Sequence, residues 1–154
     1  MGVIEIRRED LTSATAQALI AALNADLRAR YPGDGSDYFR LDAAEVRQGR
    51  GAFVVAYDAD TPVGCGAVRL IDSGVAEIKR MYVLPDLRGR GIARRMLDAL
   101  EHEARSIGVT KLLLETGTRQ PEAIALYSKA GYFPTEPFGE YPPSPLNVFF
   151  EKIL

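Results

Sequence analysis

The sequence has one cysteine, one histidine and no long apolar run. A single thiol, Cys65, cannot close an internal disulfide, so the cysteine count gives no sign of an oxidising compartment. Set among small strand residues in "VGCGAV" with no activating histidine nearby, Cys65 reads as packing rather than as a nucleophile. The only imidazole, His102, sits in "ALEHEAR", a charged segment, and no His, Cys and carboxylate cluster has metal-ligand spacing. No metal is expected. The opening "MGVIEIRRED" turns charged early and lacks the apolar stretch of a secretion signal. No segment nears the roughly 20 apolar residues of a membrane span, so neither a membrane nor an exported location is expected, and a cytoplasmic protein is. Positive charge is also not in excess: 19 Lys and Arg stand against 21 Asp and Glu, a net charge of −2. That balance speaks against a dedicated nucleic-acid or membrane-surface role.

What the chain does have is 154 residues, 47% of them apolar, enough for one domain spanning residues 1–154 with a proper core. A short strand is expected over residues 3–7. Ala16, Leu19, Ile20, Leu23 and Leu27 recur at helical spacing and predict a first helix over about residues 12–31. Asp42 and Glu45 have the spacing of a capping box, which predicts a second, short helix ending by Gly49. "AFVVAYD", "VGCGAVRLI" and "VAEIKRMYVL" follow with turns so short that an antiparallel meander is implied. A long helix is predicted over residues 89–107, then the apolar strand "TKLLLET". The helix "QPEAIALYSKAG" and closing strands at "YF" and "NVFFEKIL" complete the order. The class is mixed α/β, with a mostly antiparallel sheet flanked by about four helices.

The stretch "LPDLRGRGIARRML" poses an electrostatic problem. Arg88, Arg90, Arg94 and Arg95 crowd the start of the long helix, where the helix dipole already presents positive charge. Exposed backbone N–H groups, glycines at Gly89 and Gly91 that admit a close approach, and surrounding guanidinium groups together make an anion site. A di- or polyphosphate there would supply the missing negative charge. The plain alternative is a solvated face beside a turn. "GRGIAR" lacks the third glycine of a dinucleotide loop and the G-K-[ST] ending of a P-loop.

"RGRGIA" resembles the R/Q-x-x-G-x-G/A motif of the GNAT superfamily of N-acetyltransferases. The preceding "AEIKRMYVLP" and the downstream "QPEAIALYSKAGY" are similar to the family's strand and its N-x-x-A-x-x-L-Y-x-x-x-G-F segment, so the likeness covers nearly the whole chain. It implies the GNAT fold and an acyltransferase that takes acetyl-CoA as co-substrate. The pyrophosphate would rest on Arg88, Gly89, Arg90, Gly91, Ile92 and Ala93, and the pantetheine arm along the main chain of Met81, Tyr82 and Val83. Gln120 stands where the family often has asparagine. Tyr127 aligns with the tyrosine that serves as general acid toward the sulfur. Glu77 aligns with the glutamate base of the histone-type members, and Glu115 is the reserve. Bland readings stand beside these: Tyr127 as a core tyrosine, and Glu77 paired with Lys79 or Arg80 at a solvated edge.

The acceptor is expected to be a small-molecule or peptide amine. Asp34, Asp37, Glu136 and Glu140, mixed with aromatics in "YPGDGSDYF" and "PTEPFGEYPPSP", favour a cationic one. No nucleic acid is expected as a partner, and a homodimer is left open. A non-catalytic acyl-CoA-binding module is the alternative function; it would keep the glycine loop and dispense with an acid and a base.

Overall fold

A computed structural model describes residues 2–33, 41–141 and 144–154. Asp34 and Asp37 lie outside the described residues. The strands are β1 (Ile4–Arg8), β2 (Gly51–Asp58), β3 (Thr61–Asp72), β4 (Val75–Val83), β5 (Lys111–Gly117), β6 (Phe133–Pro134) and β7 (Asn147–Ile153). They form one sheet in the order β1-β2-β3-β4-β5-β7-β6. Every pairing is antiparallel except β4 with β5, which the crossover through the long helix makes parallel.

Three α-helices cover the sheet: α1 (Ala14–Arg30) on one face, α2 (Ile92–Ser106) and α3 (Pro121–Lys129) on the other. The Ser13 hydroxyl caps α1 by accepting the Ala16 N–H at 3.0 Å. Leu19, Leu23 and Leu27 then pack on Phe53, Val55 and Cys65. Across the sheet, Met96, Leu97 and Leu100 of α2 are fully buried against Val54, Val68 and Ile78. Each such side chain contributes about 1.5–3 kcal/mol on burial. Glu101 on the same helix is buried too. It receives Lys152 Nζ at 2.9 Å and the Tyr132 hydroxyl at 2.8 Å, which ties α2 to β7 and to the turn after α3.

Two boundaries differ from the sequence expectation. The predicted second helix is a 3-10 turn, Ala43–Val46. Its capping box forms, with Glu45 accepting the Asp42 N–H at 3.0 Å, but the span is too short for a run of α-type bonds. The long helix begins at Ile92, not at Gly89. Gly89 and Gly91 hold φ of +80° and +82°, outside helical space, so the backbone turns through the left-handed region before α2 starts.

The feature that makes a site is a split in the sheet. β4 pairs with β5 from Val75↔Lys111 only as far as Ile78↔Leu114. Beyond that point β4 keeps its partner on β3, up to Gly64↔Val83, while β5 stays with β7. The main-chain polar groups of residues 79–83 on the β5 side therefore look into a gap.

Candidate active site

A cavity of about 480 Å3 occupies this gap and runs from α1 on one face of the sheet to α2 and α3 on the other. Met81, Tyr82 and Val83 form one wall, Glu115 and Thr116 the other, with Gln120 and Tyr127 from the α3 side. Arg88, Gly89, Gly91, Ile92 and Ala93 line it where α2 begins. Of the expected catalytic and cofactor-binding residues, Arg90 and Glu77 are not on its walls; Arg90 is exposed beside the two glycines, and Arg95, Glu136 and Glu140 also lie off the walls.

Gly89 and Gly91 leave open space where a side chain would begin: a Cβ built on either meets nothing within 4 Å. No side chain therefore crowds the approach to the first turn of α2, as an anion site there requires. The arginines divide. Arg88 turns inward, donating from Nε to the Val83 carbonyl at 2.9 Å, with its guanidinium near Asp26 (3.6 Å) and Glu122 (3.8 Å). Arg94 pairs with Asp98 one turn on, at 3.1 Å. Arg90 and Arg95 are exposed at the helix start. Arg30 joins the same acidic pair, so Asp26, Glu122, Arg30 and Arg88 tie α1, the glycine loop and α3 together at one end of the cavity.

Tyr127 is 5% exposed and packs edge-on against Tyr132, with ring centroids 5.7 Å apart. It is a core residue on one side and a cavity wall on the other. Burial, with the charge of Glu115 adding to it, pushes the phenol well above the ordinary tyrosine range. The group holds its proton at any physiological pH. Gln120 sits just before α3, with its Oε1 3.5 Å from the Tyr31 hydroxyl.

Glu77 is placed differently from the expectation. It is 1% exposed, and its hydrogen-bonded partner is Arg69 on the neighbouring strand, with the Lys79 charge nearby. Arg69 donates to Glu77 Oε1 from Nε (3.1 Å) and Nη2 (2.9 Å), and its Nη1 reaches Glu45. Tyr141 donates its hydroxyl to the other Glu77 oxygen. Both Glu77 oxygens are engaged in these contacts, and the residue is not on the cavity wall. Glu115 is the carboxylate on the wall. Glu136 and Glu140 are exposed.

Three contributors escaped the sequence reading. Lys79, Arg80 and Tyr141 line the cavity on the α1 side. Arg80 and Met81 together oppose Gly66, a bulge in which Arg80 takes φ +58°. Gly66 is what permits it, since a Cβ there would overlap the Met81 sulfur. The signal was available: isolated glycines inside a strand mark bulges, and "VGCGAV" has two. The Cys65 thiol lies behind this bulge, fully buried and pushed up to about 12, which removes it from nucleophilic chemistry. Among the described residues no group of His, Cys, Asp and Glu is arranged to hold a metal ion, and no helix is long and apolar enough to cross a membrane.

Known proteins are similar to this chain in sequence and fold. The sequence model of the acetyltransferase (GNAT) family matches residues 16–132. The IAA acetyltransferase of Azospirillum brasilense is 41% identical over 98% of this chain and 98% of its own. The uncharacterised N-acetyltransferase YedL of Escherichia coli is 30% identical over 97% of this chain and 94% of its own. A solved structure from Klebsiella pneumoniae, assigned as an acyl-CoA N-acyltransferase, superposes with a TM-score of 0.84 at 36% identity, covering 99% of this chain and 98% of that one. The fold and the cavity define an acyltransferase. The chain belongs to the GNAT acetyltransferase family.

Proposed function

We propose that the whole chain works as one cytoplasmic N-acetyltransferase domain that moves the acetyl group of acetyl-CoA to a primary amine of a small molecule or peptide, by direct attack in a ternary complex. The observation that carries this reading is the split in the sheet, with an uncrowded helix start at one end and a protonated phenol in its wall. Gly89 to Ala93 would hold the pyrophosphate through main-chain N–H groups, with Arg90 and Arg94 adding charge. The open edge of Met81, Tyr82 and Val83 would pair with the pantetheine amides as an added strand does. One N–H there would polarise the thioester carbonyl.

The amine nitrogen then attacks the carbonyl carbon and the carbon–sulfur bond breaks. Tyr127 gives its proton to the departing thiolate, and Glu115 accepts the proton released by the nitrogen, directly or through one water. The two transfers balance, and Tyr127 is reprotonated from solvent between turnovers. Because burial makes Tyr127 a weak acid, its help is greatest as a hydrogen bond to developing charge on sulfur. Glu77 contributes by holding Tyr141 and Arg69.

Calorimetry with acetyl-CoA, followed by CoA release with a broad amine panel, tests the reading. Binding with amine-dependent release is expected. Binding with no release on any amine would favour the acyl-CoA-binding module, and no binding at all would end both.

A further inference from the structure

Arg80 carries two unfavourable features at once. Its backbone sits at φ +58°, in the bulge opposite Gly66, a conformation unfavourable for a non-glycine residue. Its side chain is largely buried, with Nη2 donating to Asn24 Oδ1 on α1 and Nη1 buried with no partner among the described residues. No carboxylate of the described residues compensates it; the polar groups that influence it are the neutral Cys65 and Tyr141. The contrast with Arg69 is direct. That guanidinium, one strand away, is matched by both Glu77 and Glu45.

We infer that Arg80 is the acceptor-recognition residue, and that the amine this protein acetylates carries a carboxylate which Arg80 pairs with. The inference rests on the acetyltransferase reading above and names its substrate class: free amino acids or peptides with an exposed carboxyl group. Arg80 lines the α1 side of the cavity, immediately before the residues 81–83 that would hold the thioester, so an anion at its guanidinium belongs to a molecule already at the reacting edge. A planar guanidinium suits a two-oxygen anion better than any neutral group. Lys79, beside it over the Tyr141 ring at 5.8 Å, adds a second positive charge to the same wall. A cationic acceptor, expected from the acidic loops, would meet repulsion here. The bulge opposite Gly66 accounts for the backbone, and what it leaves over is a guanidinium nitrogen with no acceptor among the described residues, on a residue that lines the cavity.

The test compares amino acids with their carboxamides and with the amines left on decarboxylation, by CoA release at saturating acetyl-CoA. The acids are expected to exceed their carboxamides in kcat/KM by about tenfold or more, as a charge-assisted pair replaced by a neutral contact predicts. Arg80→Met should bring that ratio to about one through the acceptor KM, with the acetyl-CoA KM unchanged, and Arg80→Lys should restore part of it. The melting temperature of Arg80→Met should be unchanged or higher, whereas a merely structural arginine would lower it. Carboxamides used as well as acids by the unmodified protein overturn the proposal, as does a ratio that survives Arg80→Met; both outcomes leave the acetyltransferase reading standing. Absence of acetyl-CoA binding would remove both.

Discussion

The two ends of the cavity are built by opposite means. The donor end is made of consecutive residues: a strand edge, two glycines at φ +80° and +82°, and the first turn of α2. The recognition groups proposed for it are main-chain N–H groups, fixed by the fold and indifferent to the side chains around them. The acceptor end is assembled from β4, β5, α1 and the residues before β7, and side chains supply its polar groups. A donor site of the first kind suits one invariant ligand. An acceptor site of the second kind can change partner by exchanging a few residues, so the two ends should respond differently to mutation.

The largest effect is expected at the donor end. Gly91→Val places a branched side chain in the open approach to the α2 N-terminus and asks it to hold a left-handed φ. Two lost charge-assisted hydrogen bonds at about 1.5–3 kcal/mol each put the fall in acetyl-CoA affinity near a thousandfold. Calorimetry reads it directly. Gly91→Ala, smaller and unbranched, should lose less. If Gly91→Val is folded and binds acetyl-CoA normally, the main-chain account of this end is wrong.

Tyr127→Phe sits between the ends and should act on neither affinity. The ring remains packed on Tyr132 and Phe150, and only the proton donor goes. We expect kcat to drop by about a hundredfold with acetyl-CoA binding intact, measured where chemistry limits the rate. The pH profile is a second check. The donating form is the neutral phenol, and burial raises its pKa, so the loss of activity from deprotonation moves to higher pH. The kcat of the unmodified protein should rise as the amine deprotonates and show no falling limb below about pH 10, the ordinary tyrosine value.

The same division explains what could be read from the residues alone. Periodicity placed α1, the meander and α2, and "RGRGIA" placed the donor end, because each is a local pattern in which neighbours in sequence are neighbours in space. The acceptor end is not local. Arg69 and Glu45 meet across 24 positions, and Tyr141 reaches Glu77 across 64. No spacing rule connects them, so the buried pairing of Glu77 with Arg69 and Tyr141 could not be read from the sequence. The buried link from Glu101 to Lys152, 51 positions away, was hidden for the same reason. Asp42 misled in another way: its capping box is real, but a box fixes where a turn starts and says nothing of whether four residues can continue as an α-helix.

The finest test separates the two carboxylates of the acceptor end. Glu115→Gln removes a proton acceptor from the cavity wall and should lower kcat by about tenfold, most at low pH where the free amine is scarce, with little change in melting temperature. Glu77→Gln should do the reverse. It breaks a pairing between a fully buried carboxylate and Arg69, whose guanidinium is partly exposed and keeps Glu45, so the destabilisation is expected near 1–3 kcal/mol, below that of a fully enclosed pair. The glutamine can still accept from Tyr141, so turnover per folded molecule should stay within about threefold. Thermal unfolding and kcat measured on the same preparations distinguish them. A Glu77→Gln protein that melts normally but has lost its turnover would restore Glu77 as the base and make the ion pair with Arg69 part of the chemistry.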